Sequence, residues 1–264
     1  MVTRRAMLAL FCGICGLAPS LAAIGQDMLQ HLDLSSPAMT TAEMTRSDVE
    51  AALAAGERDF NGKRLSGLDL SRLDLSGAKF QAARLNKTKL AAATLDGAIL
   101  DQAWLLEADL SGAKLRSASL FAAQMRQAKL DGADLSGARI TADMTGASLV
   151  GASLAGAHLG ADMRNQSMGL MRAVLRSANL SRVDARAADL SRVDLEFATL
   201  TGADLTDASL RGADLAGANL TGVILAGADL HGADLASSRL VAPIGLASAK
   251  NVEHAINFDR ALRE

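Results

Sequence analysis

Gly212-Ala213-Asp214-Leu215-Ala216 is followed at once by Gly217-Ala218-Asn219-Leu220-Thr221, and the spacing of those two leucines decides the fold. Leucine, or a residue that stands in for it, recurs at every fifth position from Leu65 to Leu240, and the residue two places earlier is nearly always alanine. On an α-helix five residues advance about 500°, so the leucines would scatter around the cylinder; on a flat strand an odd step would send them alternately to opposite faces. A chain that runs straight for a few residues and then turns a corner, once per quintet, keeps every leucine inside. The period therefore predicts a solenoid.

The alanines support this independently. In an extended segment positions i−2 and i share a face, so a buried leucine at i brings its i−2 neighbour indoors, close to a corner with little room. Between Phe80 and Met163 the i−2 residue is alanine at every unit but one, Thr88. Position i−1 carries Asp, Lys, Arg, Asn, Ser or Trp and is read as outward. Pairs such as Ser76-Gly77, Asp131-Gly132 and Ser136-Gly137 mark the corners, where glycine tolerates the dihedrals of a tight turn.

Runs such as Ala203-Asp204-Leu205-Thr206-Asp207 resemble the A-(D/N)-L-x-x motif of the pentapeptide-repeat family, and about 35 such units fill residues 60 to 242. The resemblance implies an all-β fold: a right-handed, quadrilateral parallel β-helix with four units per coil, hence eight or nine coils. It implies no particular activity, because members of the family do different things. A column of leucine and alanine leaves no interior room for a substrate, so function is expected on the outer faces or at the ends.

Outside the array the chain changes character. Arg4 and Arg5 precede an apolar stretch, Ala6 to Leu17, then Pro19 and the small residues Ser20, Ala22 and Ala23. Residues 1–25 are therefore read as a secretory signal peptide, with a twin-arginine flavour in Thr3-Arg4-Arg5, and the protein as periplasmic or secreted. A membrane enters only if that leader stays uncleaved. Both cysteines, Cys12 and Cys15, lie inside the leader, so the remaining chain has none, which suits an oxidising compartment. Residues 26–46 are read as a linker. Residues 47–62 are read as an N-terminal helical cap, from a capping box at Ser47-Asp48-Val49-Glu50 and a stop at Gly56. The repeat array occupies 63–242. Pro243 ends it, and residues 243–264 are read as a C-terminal cap helix, because Leu246, Ala249, Val252, Ala255 and Ile256 recur at three- and four-residue steps. End-to-end association through these ends is an available route to a homodimer.

Two irregularities interrupt the array. The frame slips by one residue at Ile140 to Met144 and again at Leu159 to Met163, which predicts two four-residue units, with Ala142 and Ala161 in the i−2 place. The stretch Arg164 to Val174 then restores the frame with two extra residues, and Met163, Met168, Leu170 and Met171 point to a small bulged loop or a bend.

No catalytic constellation can be assembled. His31, His158, His231 and His254 are far apart in sequence, no group has metal-ligand spacing, and the outward acids read as a solvated surface. The chain is accordingly expected to be no enzyme and to need no cofactor and no metal. Net charge is −2, yet residues 63 to 139 carry twelve Lys or Arg against eight acids and residues 193 to 240 two against seven. Some cytoplasmic members of the resembled family imitate DNA and occupy DNA gyrase, which makes a DNA-mimicking gyrase or topoisomerase inhibitor or protector the alternative function. The basic first half has the wrong sign for that role. Nucleic-acid binding is not expected either, since 3% aromatic content offers no stacking platform. One surface feature stands out: Ile99, Trp104, Leu106 and Phe121 should all point outward on adjoining sides, which predicts a binding patch for an unidentified protein partner.

Overall fold

The computed structural model describes residues 33–161 and 171–263. The leader lies outside the described residues, as do His31, Met163 and Met168. Within the array each unit contributes one bridge-forming residue at i−1, and each bridges in parallel to the residue one coil on, twenty places later in the regular coils, as Lys89 does to Asp109 and Asp109 to Lys129. The bridges fall into four ladders, so the solenoid is four-sided. Face 1 runs from Asp59 through Ile99, His158 and Asp189 to Lys250; face 2 runs from Arg64 through Trp104, Asp143, Val174, Asp194 and Asp234 to Ile256. Face 3 runs from Asp69 to Leu262 and face 4 from Asp74 to Ile244.

Backbone chemistry explains why five residues suffice for a side. In the unit around Leu110, the Leu110 amide donates to Lys129 O on the next coil (2.7 Å), and Lys129 N donates back to Ala108 O (2.9 Å). At the corner Gly112 N donates upward to Asp131 O (2.9 Å), while Ala113 N closes the turn onto Leu110 O (3.0 Å). The remaining amide, Ser111 N, is taken by the Asp109 side chain at 3.0 Å. Every amide of the quintet thus has a partner, which burial of the neighbouring side chains requires. The residue at i+2 sits in the left-handed region at the regular five-residue corners, with glycine there in Gly112 (φ 64°) but alanine in Ala122 (φ 54°). Corner geometry is set by the stack, and glycine is only its least strained occupant.

The core is a single column. Leucines from Leu65 to Leu240 and alanines from Ala78 to Ala233 are essentially inaccessible to solvent. At the N-terminal end Phe60 and Phe80 stack with ring centroids 5.3 Å apart, replacing leucine in the two outermost layers of that corner. Among the described residues two helices precede the array, α1 (Pro37–Thr40) and α2 (Arg46–Ala54). The capping box of α2 is Thr45 with Asp48, two residues earlier than the Ser47–Glu50 pair that the sequence pointed to: Asp48 Oδ2 accepts from Thr45 N at 2.8 Å. Val49 of α2 is fully buried in the core cluster, and the Arg46 guanidinium donates to Asp69 O (2.8 Å). Residues 33–45, expected to form a linker, instead lie against the first coils. Glu43 N donates to Arg64 O (2.9 Å), Met39 is buried, and Asn86 Nδ2 donates to Met39 O (3.1 Å).

The C-terminal segment is not a helix. Residues 241–263 form one further coil, in which Ile244, Lys250, Ile256 and Leu262 continue faces 4, 1, 2 and 3. Its units are six residues long. Gly245, Asn251 and Asn257 adopt left-handed backbone, and each leads into a short 3₁₀ turn, Leu246–Ser248, Val252–His254 and Phe258–Arg260. Leu246, Val252 and Phe258 fold onto the end of the core. The three- and four-residue spacing that reads as helical comes from two interleaved six-residue series.

Of the two frame slips, one is a true four-residue unit: Ile140, Ala142 and Met144 are all buried, and Asp143 bridges Gln124. The other is not. Ala161 is only half-buried, and the next core alanine after Leu159 is Ala173, whose amide donates to Leu159 O at 3.3 Å. This is the ordinary corner-closing bond, and Ala161 N donates to Ser191 O (3.1 Å) as the second corner residue does elsewhere, so Gly160 and Ala161 hold the corner after Leu159 and Ala173 resumes the core. The expected loop from Arg164 to Leu170 lies outside the described residues.

Candidate functional site

Among the described residues the axis is filled by buried leucine and alanine. Inside Leu205 to Leu240 the free space is about 10 Å³, no more than one water would fill, and its lining is wholly leucine. What can touch a partner is therefore the outside, which is built from the i−1 ladders, the corner columns and the two ends.

The four residues singled out by the sequence lie on this outer wall, but none is fully exposed. Ile99 sits on face 1 between Lys79 and Ser119, and Trp104 on face 2 of the same coil between Arg84 and Gln124. Phe121 occupies the corner between these faces one coil on, with its amide donating to Asp101 Oδ1 (3.0 Å). Leu106 lies at the next corner, between faces 2 and 3, and its amide donates to Asn86 Oδ1 (3.1 Å). All four are half-buried, because ladder side chains 4.8 Å apart cover one another. They form a band around two corners, with residues 33–45 docked beside it through Asn86.

Larger apolar exposure lies elsewhere. Ile244, Ile256 and Leu262 are 57%, 51% and 60% exposed, and they occupy three of the four outward positions of the terminal coil, where the array otherwise carries mainly polar groups. Sequence reasoning missed them because it took the segment for a helix. The signal was present as alanine before, and glycine or asparagine after, an outward residue every six positions: Ala249-Lys250-Asn251 and Ala255-Ile256-Asn257. Phe197 is a fourth exposed apolar group, at a corner with φ 59°. Its ring lies where any side chain at Gly217 would have to go, since a Cβ there would meet it at 2.5 Å.

The outward acids are not idle surface. Asp109, Asp134, Asp189, Asp204, Asp214 and Asp234 each accept the amide two residues on, at 2.9–3.1 Å, and Asn219 does the same for Thr221. This is the reason for Asp or Asn at i−1: a short side chain with an acceptor oxygen closes the corner. Hydrogen bonds from the Ser76 hydroxyl and amide hold the Asp74 carboxyl below the usual carboxylate range.

Face 2 concentrates negative charge where Asp194, Asp214 and Asp234 stack in successive coils. Asp194 is buried, and burial raises its carboxyl above the usual range; Arg176 and Arg172 pull it down, while Asp214 and Asp143 push it further up. Carboxylate oxygens of Asp194, Glu196 and Asp214 lie within 4.8 Å of one another. The cluster is already served by cations: Arg172 reaches Asp194 at 3.4 Å, Arg176 reaches it at 3.7 Å, and Arg176 also pairs with Glu196.

The histidines are not all isolated. His158 stands alone on face 1, but the fold stacks His231 against His254 with ring centroids 5.2 Å apart, which their separation along the chain concealed. Among the described residues no helix is long and apolar enough to cross a membrane.

The profile described as "Pentapeptide repeats" matches in eight copies, over residues 83–120, 108–141, 118–165, 170–207 and 203–240. Among solved structures the chain is similar to HetL, a pentapeptide repeat protein involved in heterocyst differentiation regulation from the cyanobacterium Nostoc sp. strain PCC 7120. The two are 31% identical over 83% of this chain and 100% of that one, with a TM-score of 0.40. A second pentapeptide repeat protein of the same Nostoc strain is 38% identical over 38% of this chain and 80% of its own, with a TM-score of 0.36. QnrB1, a plasmid-mediated fluoroquinolone resistance protein, is 18% identical over 74% and 91% respectively, with a TM-score of 0.41. No curated protein matches the chain. With the profile matching more than half of its length, and with a quintet ladder on each of four faces, this chain belongs to the pentapeptide-repeat family.

Proposed function

We propose that this chain is an exported, non-enzymatic rod whose outer walls and apolar terminal coil hold a protein partner. The observation that carries the reading is the filled core. With a leucine column along the axis of the described residues, chemistry there is left to exposed side chains, and among the described residues these are mainly corner-closing acids and paired arginines. Ile244, Ile256 and Leu262 add a rim of exposed aliphatic surface of the kind that partners cover. The same rim would let two copies meet end to end. Export rests on Arg4, Arg5 and the apolar run Ala6 to Leu17, together with a chain free of cysteine beyond Cys15.

The tests are fractionation with N-terminal sequencing, and partner capture. The expected product is periplasmic or secreted and begins near Gln26; full-length chain recovered from the cytosol would overturn export. Cross-linking in the native host should lose its adduct in the pair Ile256→Ser and Leu262→Ser. The pair Trp104→Ser and Phe121→Ser tests the half-buried band in the same way. An unchanged adduct in both pairs would remove the apolar surfaces from the reading.

The acidic ladder on face 2 favours one alternative, a DNA-mimicking gyrase or topoisomerase inhibitor or protector. It requires retention in the cytoplasm, so fractionation separates it from the first reading.

A further inference from the structure

The imidazole pair at the end of the rod has a geometry that solvated surface histidines do not need. His231 follows Leu230 at the corner between faces 1 and 2, and His254 lies above it in the terminal coil. The two backbones are locked in register by Gly232 N donating to His254 O at 2.9 Å. Below, Gly212 N donates to His231 O at 2.9 Å, so His231 is held from both sides. The rings are 5.2 Å apart between centroids and tilted by 36°. Two imidazoles on one tetrahedral ion, with metal–nitrogen bonds of about 2.0–2.1 Å, have centroids roughly 5 Å apart. The observed spacing therefore asks for side-chain rotation and no movement of the backbone.

The surroundings also suit a metal. The Glu253 carboxylate lies 3.1 Å from His254 Nδ1, an acid beside the ring of the kind common around metal-bound histidine, and Nε2 is the nitrogen on the far side of the ring from it. The His231 side chain is exposed. Both rings are exposed, with His254 at 56%, so an ion can reach them and water can complete its shell. The cation in the layer below, Arg211, is occupied by Asp229 at 2.8 Å.

We propose that His231 and His254 form a two-imidazole surface site for a divalent transition metal of the class that imidazole favours, Zn²⁺, Ni²⁺ or Cu²⁺, and that the bound ion staples the terminal coil to the last regular one. Binding is expected to be one ion per chain, to need both rings, and to protect residues 244–263.

The experiment uses the untagged chain as exported, without residues 1–25 and so without Cys12 and Cys15, freed of metal by chelator, and titrates NiCl₂ and separately ZnCl₂ by calorimetry at pH 7.5. His158→Ala is the control, since that imidazole is exposed and alone on face 1. Wild type and His158→Ala should bind one ion with equal affinity. His231→Ala and His254→Ala should each weaken binding at least tenfold, as should His231→Gln and His254→Gln, which keep side-chain bulk. Amide exchange of residues 244–263 should slow with Ni²⁺ in wild type and not in the single variants. The proposal is overturned by absence of saturable binding in wild type, by loss in only one of the two histidine variants, or by binding that leaves exchange in the terminal coil unchanged.

Discussion

A carboxylate oxygen at i−1 is the smallest device on which this architecture depends. It accepts the amide that the corner would otherwise leave without a partner, as Asp109 does for Ser111. Asp109→Ala should destabilise the rod by about 1 kcal/mol, the usual net value of such a bond, whereas Asp109→Asn keeps the acceptor and should be nearly neutral. Urea unfolding of the two variants checks this. Equal losses would mean that the charge, and not the acceptor, matters. Arginine-bearing units such as Arg84 and Arg139 show that the cap is dispensable at single corners, because the ladder and the core hold the backbone there.

At the scale of the element, the terminal coil and the corner that flanks residues 162–170 are held in different ways. The terminal coil hangs partly on Asp229 and Asp234, which accept from Asn251 Nδ2 (2.7 Å) and Asn257 Nδ2 (2.8 Å). Burial alone would raise the Asp229 carboxyl, but bonds from Asn251, Arg211 and the His231 amide outweigh it and hold it at about 2. A depressed carboxyl stabilises the fold above its unfolded pKa near 3.9, and the contribution is lost as pH falls from about 4 towards 2. Its size is on the order of 2 kcal/mol. Amide exchange in residues 244–263 should therefore accelerate on acidification across that window, and Asp229→Asn should abolish the dependence. Asp194, raised mainly by burial, has the opposite sign: its ionisation weakens the fold at neutral pH and its protonation relieves that cost.

The corner that flanks residues 162–170 is already closed, since Ala173 N bonds Leu159 O. Exchanging residues 160–172 for Ser-Gly should preserve the fold, because Val174 would then follow Asp143 at the twenty-residue step of the other coils. The far-ultraviolet spectrum should be unchanged and the melting temperature within a few degrees, with the lost contact of Arg172 to Asp194 as the main cost. A collapsed or aggregated product would show that the corner does not close without those residues.

Across the whole molecule the stack is one-dimensional, with each coil bonded only to the coil above and the coil below. A core truncation in the middle therefore breaks both neighbouring interfaces. Leu149→Ala removes a fully buried side chain at mid-rod and should cost 2–5 kcal/mol, at the upper end if the close-packed column cannot collapse around the gap. Denaturant unfolding measures the loss; a change below about 1 kcal/mol would mean that the column is looser than its burial implies.

The quintet spacing alone determined that the chain coils and that leucine and alanine face inward, because no straight helix or flat strand can bury residues at that period. The same repetition made most positions equivalent in sequence, so differences between them had to come from stacking. Only the folded stack could decide that Ile99, Trp104, Leu106 and Phe121 are each half-buried, or that His231 meets His254 across a coil. Only there could the last residues, which mimic a helix in spacing, extend four ladders instead. Periodicity is a local property that the order of residues carries by itself; neighbours along the rod are set by how many residues each coil consumes, which the hydrogen-bonded corners determine.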